Sequence, residues 1–161
     1  MEREILPAYT EIPDVGLYLE QTSNYLNRYL EPLDIKVTNS MLSNYVKKHI
    51  ITSPEKKQYS RQQICYLFFI TLTKSVMSLD ELKLAVAMQQ SSYETEVAYN
   101  YFRAELKKVV DHVFEGTNLP PLDCQKAHPN KIFLRNTILA TVYQVYIKRY
   151  LHEANLLTET N

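Results

Sequence analysis

Apolar residues recur at helical spacing along most of this chain, and the few places where the rhythm stops mark its turns. After Pro13, the series Val15, Leu17, Tyr18, Leu19, Thr22, Tyr25, Leu26, Tyr29 and Leu30 predicts an amphipathic helix that ends near Pro32. Residues 1–12 show no such period and read as an extended arm. Thr38 is a candidate N-cap, and Met41, Leu42, Tyr45 and Val46 then form one apolar face of a helix over 38–48. Ile50 and Ile51 look buried. Thr52-Ser53-Pro54 and the polar run to Tyr59 predict a two-strand wing over 52–60 with a tight tip. Ser60 and Gln63 have capping-box spacing and open a helix whose inner face is Ile64, Leu67 and Phe68. Residues 65–72 are apolar on more than one side, which marks the most buried helix of this half. Ser78 and Glu81 form a second capping box, opening a helix over 79–90 after a turn at 74–77.

In the second half, Val97, Tyr101, Leu106, Val109, Val110 and Val113 stripe a helix over 93–114, with Gly116 as its stop signal. Pro120, Pro121 and Pro129 argue against helix over 116–130. The last helix, 131–156, has apolar residues on several faces and calls for more than one packing partner. The helix over 93–114 either dimerises or packs back on this last one. The expected architecture is mainly all-α: a winged helix-turn-helix module in residues 1–90, and two helices in residues 91–161 for packing, dimerisation or effector binding.

Charge sharpens this picture. The formal net charge is zero, yet the interval from Lys36 to Arg61 holds six Lys/Arg against one acidic residue, while residues 1–35 hold two against seven. The basic interval coincides with the 38–48 helix and the wing. A helix in the major groove needs short hydrogen-bonding side chains for base edges and cations for phosphates. Thr38, Asn39, Ser40, Ser43 and Asn44 supply the first kind. Lys47, Lys48, Lys56, Lys57 and Arg61 supply the second, with Tyr59 at the end of the wing. The plainer reading is a solvated amphipathic surface helix beside a charged loop.

Other chemistries find little support. Two glycines leave no phosphate-cradling loop and no dinucleotide fingerprint. Cys65 and Cys124 stand far apart, and Cys124 with His128 lacks a convincing third ligand, so no metal or cofactor is expected. The four histidines fit no hydrolase or metalloprotease motif, and no enzymatic activity is expected. No apolar run reaches membrane-spanning length and the first residues lack a signal-peptide core. A cytoplasmic location without membrane association is expected.

Residues 37–85 resemble the winged helix-turn-helix of the mercury-resistance-regulator superfamily. The likeness rests on Tyr45, Ile50–Ile51, Lys56–Lys57, Tyr59–Ser60 and the apolar helix from Ile64 to Leu72. Ser43 stands where that superfamily commonly has Arg, and His49 where Gly is usual in the turn. The chain is more similar still to a bacterial family built on a domain of unknown function, DUF1836. There the likeness rests on Leu6, Pro7, Ile12, Pro13 and Asp14, on Asn44 to Lys47, and on Pro54, Lys56, Lys57, Tyr59, Ser60 and Arg61. The resemblance implies binding to double-stranded DNA and no catalysis. A regulator of this kind, with a homodimer and a small-molecule effector both open as partners, is the leading expectation. A helical protein-interaction adaptor that keeps the fold without binding DNA is the alternative.

Overall fold

The computed structural model describes residues 4–160. The fold is mainly helical: α1 Leu19–Leu30, α2 Asn39–Lys47, α3 Arg61–Thr73, α4 Leu79–Gln90, α5 Thr95–Glu115 and α6 Pro129–Glu159, with single 3-10 turns at Tyr9–Glu11 and Glu31–Leu33. The chain divides into two compact units, the first ending at Ala104 and the second starting at Glu105, so the division falls within α5.

The first unit is organised around α3. Ile64, Cys65, Leu67, Phe68, Ile70 and Leu72 are all buried, as expected of a helix apolar on several sides. The Phe68 ring meets Tyr25 and Tyr29 of α1 edge-on at centroid separations of 6.1 and 5.8 Å, and Tyr99 of α5 at 6.2 Å. Truncating such a ring costs about 3–5 kcal/mol. Both expected capping boxes are present. Ser60 and Ser78 accept from the N–H groups of Gln63 and Glu81, whose side chains return the bond to the cap N–H groups.

Two expectations need correction here. Of the extended arm expected over 1–12, residues 1–3 lie outside the described residues, and residues 4–12 are built into the core around a 3-10 turn, with Leu6 and Ile12 fully buried. The Tyr99 hydroxyl donates to the Pro7 carbonyl at 2.7 Å, and Arg103 Nε donates to the Leu6 carbonyl at 2.8 Å. Helix α1 begins at Leu19, not just after Pro13. Gly16 takes φ +79°, and Leu17 pairs with Tyr59 as an isolated antiparallel bridge instead of entering the helix.

The second unit holds the latter half of α5 and all of α6. Glu105 pairs with Arg135, and Phe114 lies 5.5 Å from Tyr146, so the two helices run parallel. Parallel neighbours need a long return, since short connections give antiparallel ones. The proline-rich segment 116–128 makes that return, and Arg135 pins it by donating to the Pro120 carbonyl at 2.7 Å. Pro129 was expected to exclude helix. It is instead the first residue of α6, the one helical position where a missing N–H is harmless.

Candidate nucleic-acid interface

Helix α2 is set in place by polar contacts to α1. The Asn27 side chain donates to the Val37 carbonyl at 2.8 Å and accepts from the Val37 N–H at 2.7 Å, fixing the chain just ahead of α2. Thr38 caps the helix by accepting from the Met41 N–H at 3.2 Å, a contact of about 1 kcal/mol. The other end closes in a Schellman turn, with Ile50 N–H on the Tyr45 carbonyl and His49 N–H on the Val46 carbonyl. His49 occupies the left-handed position at φ +58°. Leu42 and Tyr45 turn inward, and burial pushes the Tyr45 hydroxyl pKa up to about 12.

The opposite side of α2 carries Ser40, Ser43, Asn44 and Lys47, which share one face at three- and four-residue spacing. Ser40, Ser43 and Lys47 are exposed and Asn44 is half-buried. Asn39 lies off this stripe, and its Oδ1 accepts from the Ser23 hydroxyl at 2.6 Å. Its carbonyl end therefore tethers α2 to α1. Lys47 and Lys48 sit at the C-terminal end of α2, where the helix dipole favours cations on its own account.

The expected two-strand wing is only a four-residue hairpin. Glu55 and Gln58 form an isolated bridge, and Gln58 N–H closes the turn on the Glu55 carbonyl at 2.9 Å. The physical reason lies in Gln63. Its Nε2 is within 3.0–3.3 Å of the Thr52 carbonyl, the Thr52 hydroxyl and the Ser53 carbonyl. A side chain thus satisfies the incoming limb that a strand would otherwise pair, and Pro54 offers no N–H for a ladder. The outgoing limb is fixed by Tyr59, whose N–H and carbonyl both bond to Leu17, at 2.7 and 3.0 Å. A Cβ at Gly16 would fall 2.9 Å from Gln58 Oε1 and 3.0 Å from Gln58 Cβ, so glycine also permits this close approach.

The hairpin tip is Lys56 and Lys57, at φ +50° and +65°. Positive φ at both central residues is the mark of a type I′ turn, where Asn-Gly is the comfortable pair. Both lysines are exposed, and neither they nor Lys47 and Lys48 have an ion-pair partner among the described residues.

Besides Thr38 and Asn39, two more of the candidate residues are taken up by the fold. Tyr59 is buried, and desolvation raises its hydroxyl pKa. Arg61 Nε donates to the Ile12 carbonyl at 2.8 Å, and its guanidinium lies 5.2 Å from the Tyr9 ring centre, so it straps the N-terminal segment to α3. The candidates left open to solvent are Ser40, Ser43 and Lys47 on α2, with Asn44 half-buried beside them, Lys48 just past the helix end, and Lys56 and Lys57 at the hairpin tip. The positioning groups Asn27, Gly16 and the Gln63 amide were not among the expected site residues. Gly16 carried a signal, as one of only two glycines in the chain.

Among the described residues no group of three or more His, Cys, Asp or Glu is placed to hold a metal, and no helix is long and apolar enough to cross a membrane. Neither a curated protein nor a solved structure matches the chain. A family model described as domain of unknown function (DUF1836) matches residues 7–102, more than half of the chain, from the buried Pro7 to the Phe102 ring in α5. The protein therefore belongs to the DUF1836 family.

Proposed function

We propose that this protein is a sequence-specific DNA-binding regulator. In this reading α2 enters the major groove and the 55–58 hairpin rests on the phosphate backbone, as in the winged helix-turn-helix of the mercury-resistance-regulator superfamily. The observation that carries the reading is the hairpin tip. Two unpaired lysines occupy backbone positions that would suit Asn-Gly better. Local strain kept at an exposed tip points to a task outside the fold, and paired ammonium groups, together with a Ser/Asn/Lys helix face in the same unit, suit phosphate contact. Lys47, Lys48, Lys56 and Lys57 hold phosphates in this scheme. Ser40, Ser43 and Asn44 address base edges.

The test is selection of genomic fragments by the purified protein, followed by binding at two salt concentrations. An enriched motif is expected. Changing Lys47 and Lys57 together to Ala should weaken binding to every sequence and reduce the slope of log K against log salt by about 2. Asn44→Ala should instead relax the preference at one position, by about 1–3 kcal/mol of discrimination. If no fragment is enriched over random DNA at low salt, the regulator reading fails and the protein-interaction adaptor takes its place.

A further inference from the structure

The second unit covers one side of α6 and leaves the other bare. Ile138, Val142 and Val145 are buried, as are Leu106 and Val109 of α5. At 3.6 residues per turn the opposite side of α6 carries Ala140, Tyr143, Ile147, Tyr150, Ala154 and Leu157. Their spacing alternates strictly between three and four residues, the 3.5-residue repeat of a two-helix seam. Tyr143, Ile147, Tyr150 and Leu157 are 47, 55, 62 and 68% exposed, and Leu151 and Tyr146 flank them at 61 and 42%. A seam repeat serves a helix that meets another helix, and no lysine, arginine or carboxylate interrupts it.

We propose that this stripe binds the same stripe of a second copy of the chain, with the two α6 helices antiparallel. The order of side-chain sizes selects both the partner and the direction. In an antiparallel pair, Tyr143 faces the partner's Ala154, Ile147 faces the partner's Tyr150, and Ala140 faces the partner's Leu157. Each layer then joins a larger group to a smaller one, and the layers fill evenly. In a parallel pair, like meets like: Ala140 and Ala154 would each leave a void, and Tyr143 and Tyr150 would each crowd their own copies. At the edge of the antiparallel seam, Tyr146 lies beside the partner's Glu153, where a phenol can donate to a carboxylate. Covering both stripes removes on the order of 1,000 Å² from water, the size at which specific interfaces begin. The closed two-fold arrangement uses up the stripe on both copies and stops at a dimer. This proposal stands independently of DNA binding.

Sedimentation equilibrium on the full chain at micromolar concentration should give a dimer. Placing Glu at both Ile147 and Tyr150 should raise the dissociation constant by about 100-fold or more. Because both residues are exposed, helix content by circular dichroism and the melting temperature of the monomer should persist. Lys148→Glu, off the stripe, should leave the dimer intact and controls for added charge. Direction is read by crosslinking in a Cys124→Ser background. Tyr143→Cys combined with Ala154→Cys should form an intermolecular disulfide, and neither change alone should. A monomer throughout the concentration range overturns the proposal and gives the face to a different protein. A disulfide from Tyr143→Cys alone also overturns it, because that residue meets its own copy only in a parallel pair.

Discussion

Positive φ at His49 and at Lys56–Lys57 has the same local cost, about 1 kcal/mol for each non-glycine residue, but a different standing. His49 closes α2, and its backbone alone does the work. There, His49→Gly should stabilise the protein by about 1 kcal/mol, read from urea unfolding, and leave DNA affinity unchanged. At the hairpin tip the proposed function gives the task to the side chains. Replacing Lys56 by Asn and Lys57 by Gly should also stabilise, by about 1–2 kcal/mol, while weakening binding to specific and random DNA alike. A gain in stability at both sites, with a loss of binding at the tip alone, separates a functional residue from a structural one. A tip variant that lost stability would show the lysines to be serving the fold. The sequence made Lys56 and Lys57 visible as a basic tight turn. It hid their backbone strain, because a chain with two glycines must place other residue types at left-handed positions.

Helices with local start signals were legible, and contacts between distant segments were not. The Ser60 and Ser78 boxes set the starts of α3 and α4 because every bond involved lies within three residues. The start of α1 escaped because Leu17 answers to Tyr59, forty-two positions away, and not to its helical neighbours. The wing shrank to a hairpin for a similar reason: the Gln63 amide takes over bonds that a strand pattern assigns to backbone. Nor does composition reveal that α5 and α6 run parallel, since that depends on which end of α6 Glu105 meets. The pair is nearly closed to solvent, with Arg135 Nε 2.6 Å from Glu105 Oε2 and the side chains 10 and 3% exposed. Burial by itself raises the Glu105 pKa. The hydrogen bonds and charge of Arg135, helped by Lys108, outweigh burial and hold the carboxyl below its ordinary 4.5. A depressed folded-state value means that the contribution to stability is complete above the ordinary value and fades as pH falls through the lower one. Glu105→Gln strands a buried guanidinium and should cost about 3–5 kcal/mol. Urea midpoints measured from neutral pH down to pH 3 should show the native protein losing stability at the acid end and the variant losing less. Parallel curves would mean that the pair does not carry this acid sensitivity.

At the scale of the whole molecule, a net charge of zero removes any general pull toward nucleic acid. In the proposed regulator, binding then rests on the local lysines Lys47, Lys48, Lys56 and Lys57, and a single such set gives modest affinity at physiological salt. The proposed pairing of two copies through α6 would compensate, because the second head would bind at the high effective concentration set by the first. A two-fold dimer presents its heads in opposite senses along the duplex, so the selected site should be an inverted repeat. The chain with Glu at Ile147 and Tyr150 should bind an isolated half-site as well as the native protein does, yet lose about 100-fold on the complete repeat. Fluorescence anisotropy with the two duplexes makes the comparison directly. Equal losses on both duplexes would mean that α6 supports the reading head itself. A native preference for a direct repeat would rule out the two-fold arrangement, because symmetry related by α6 cannot place both heads in the same sense.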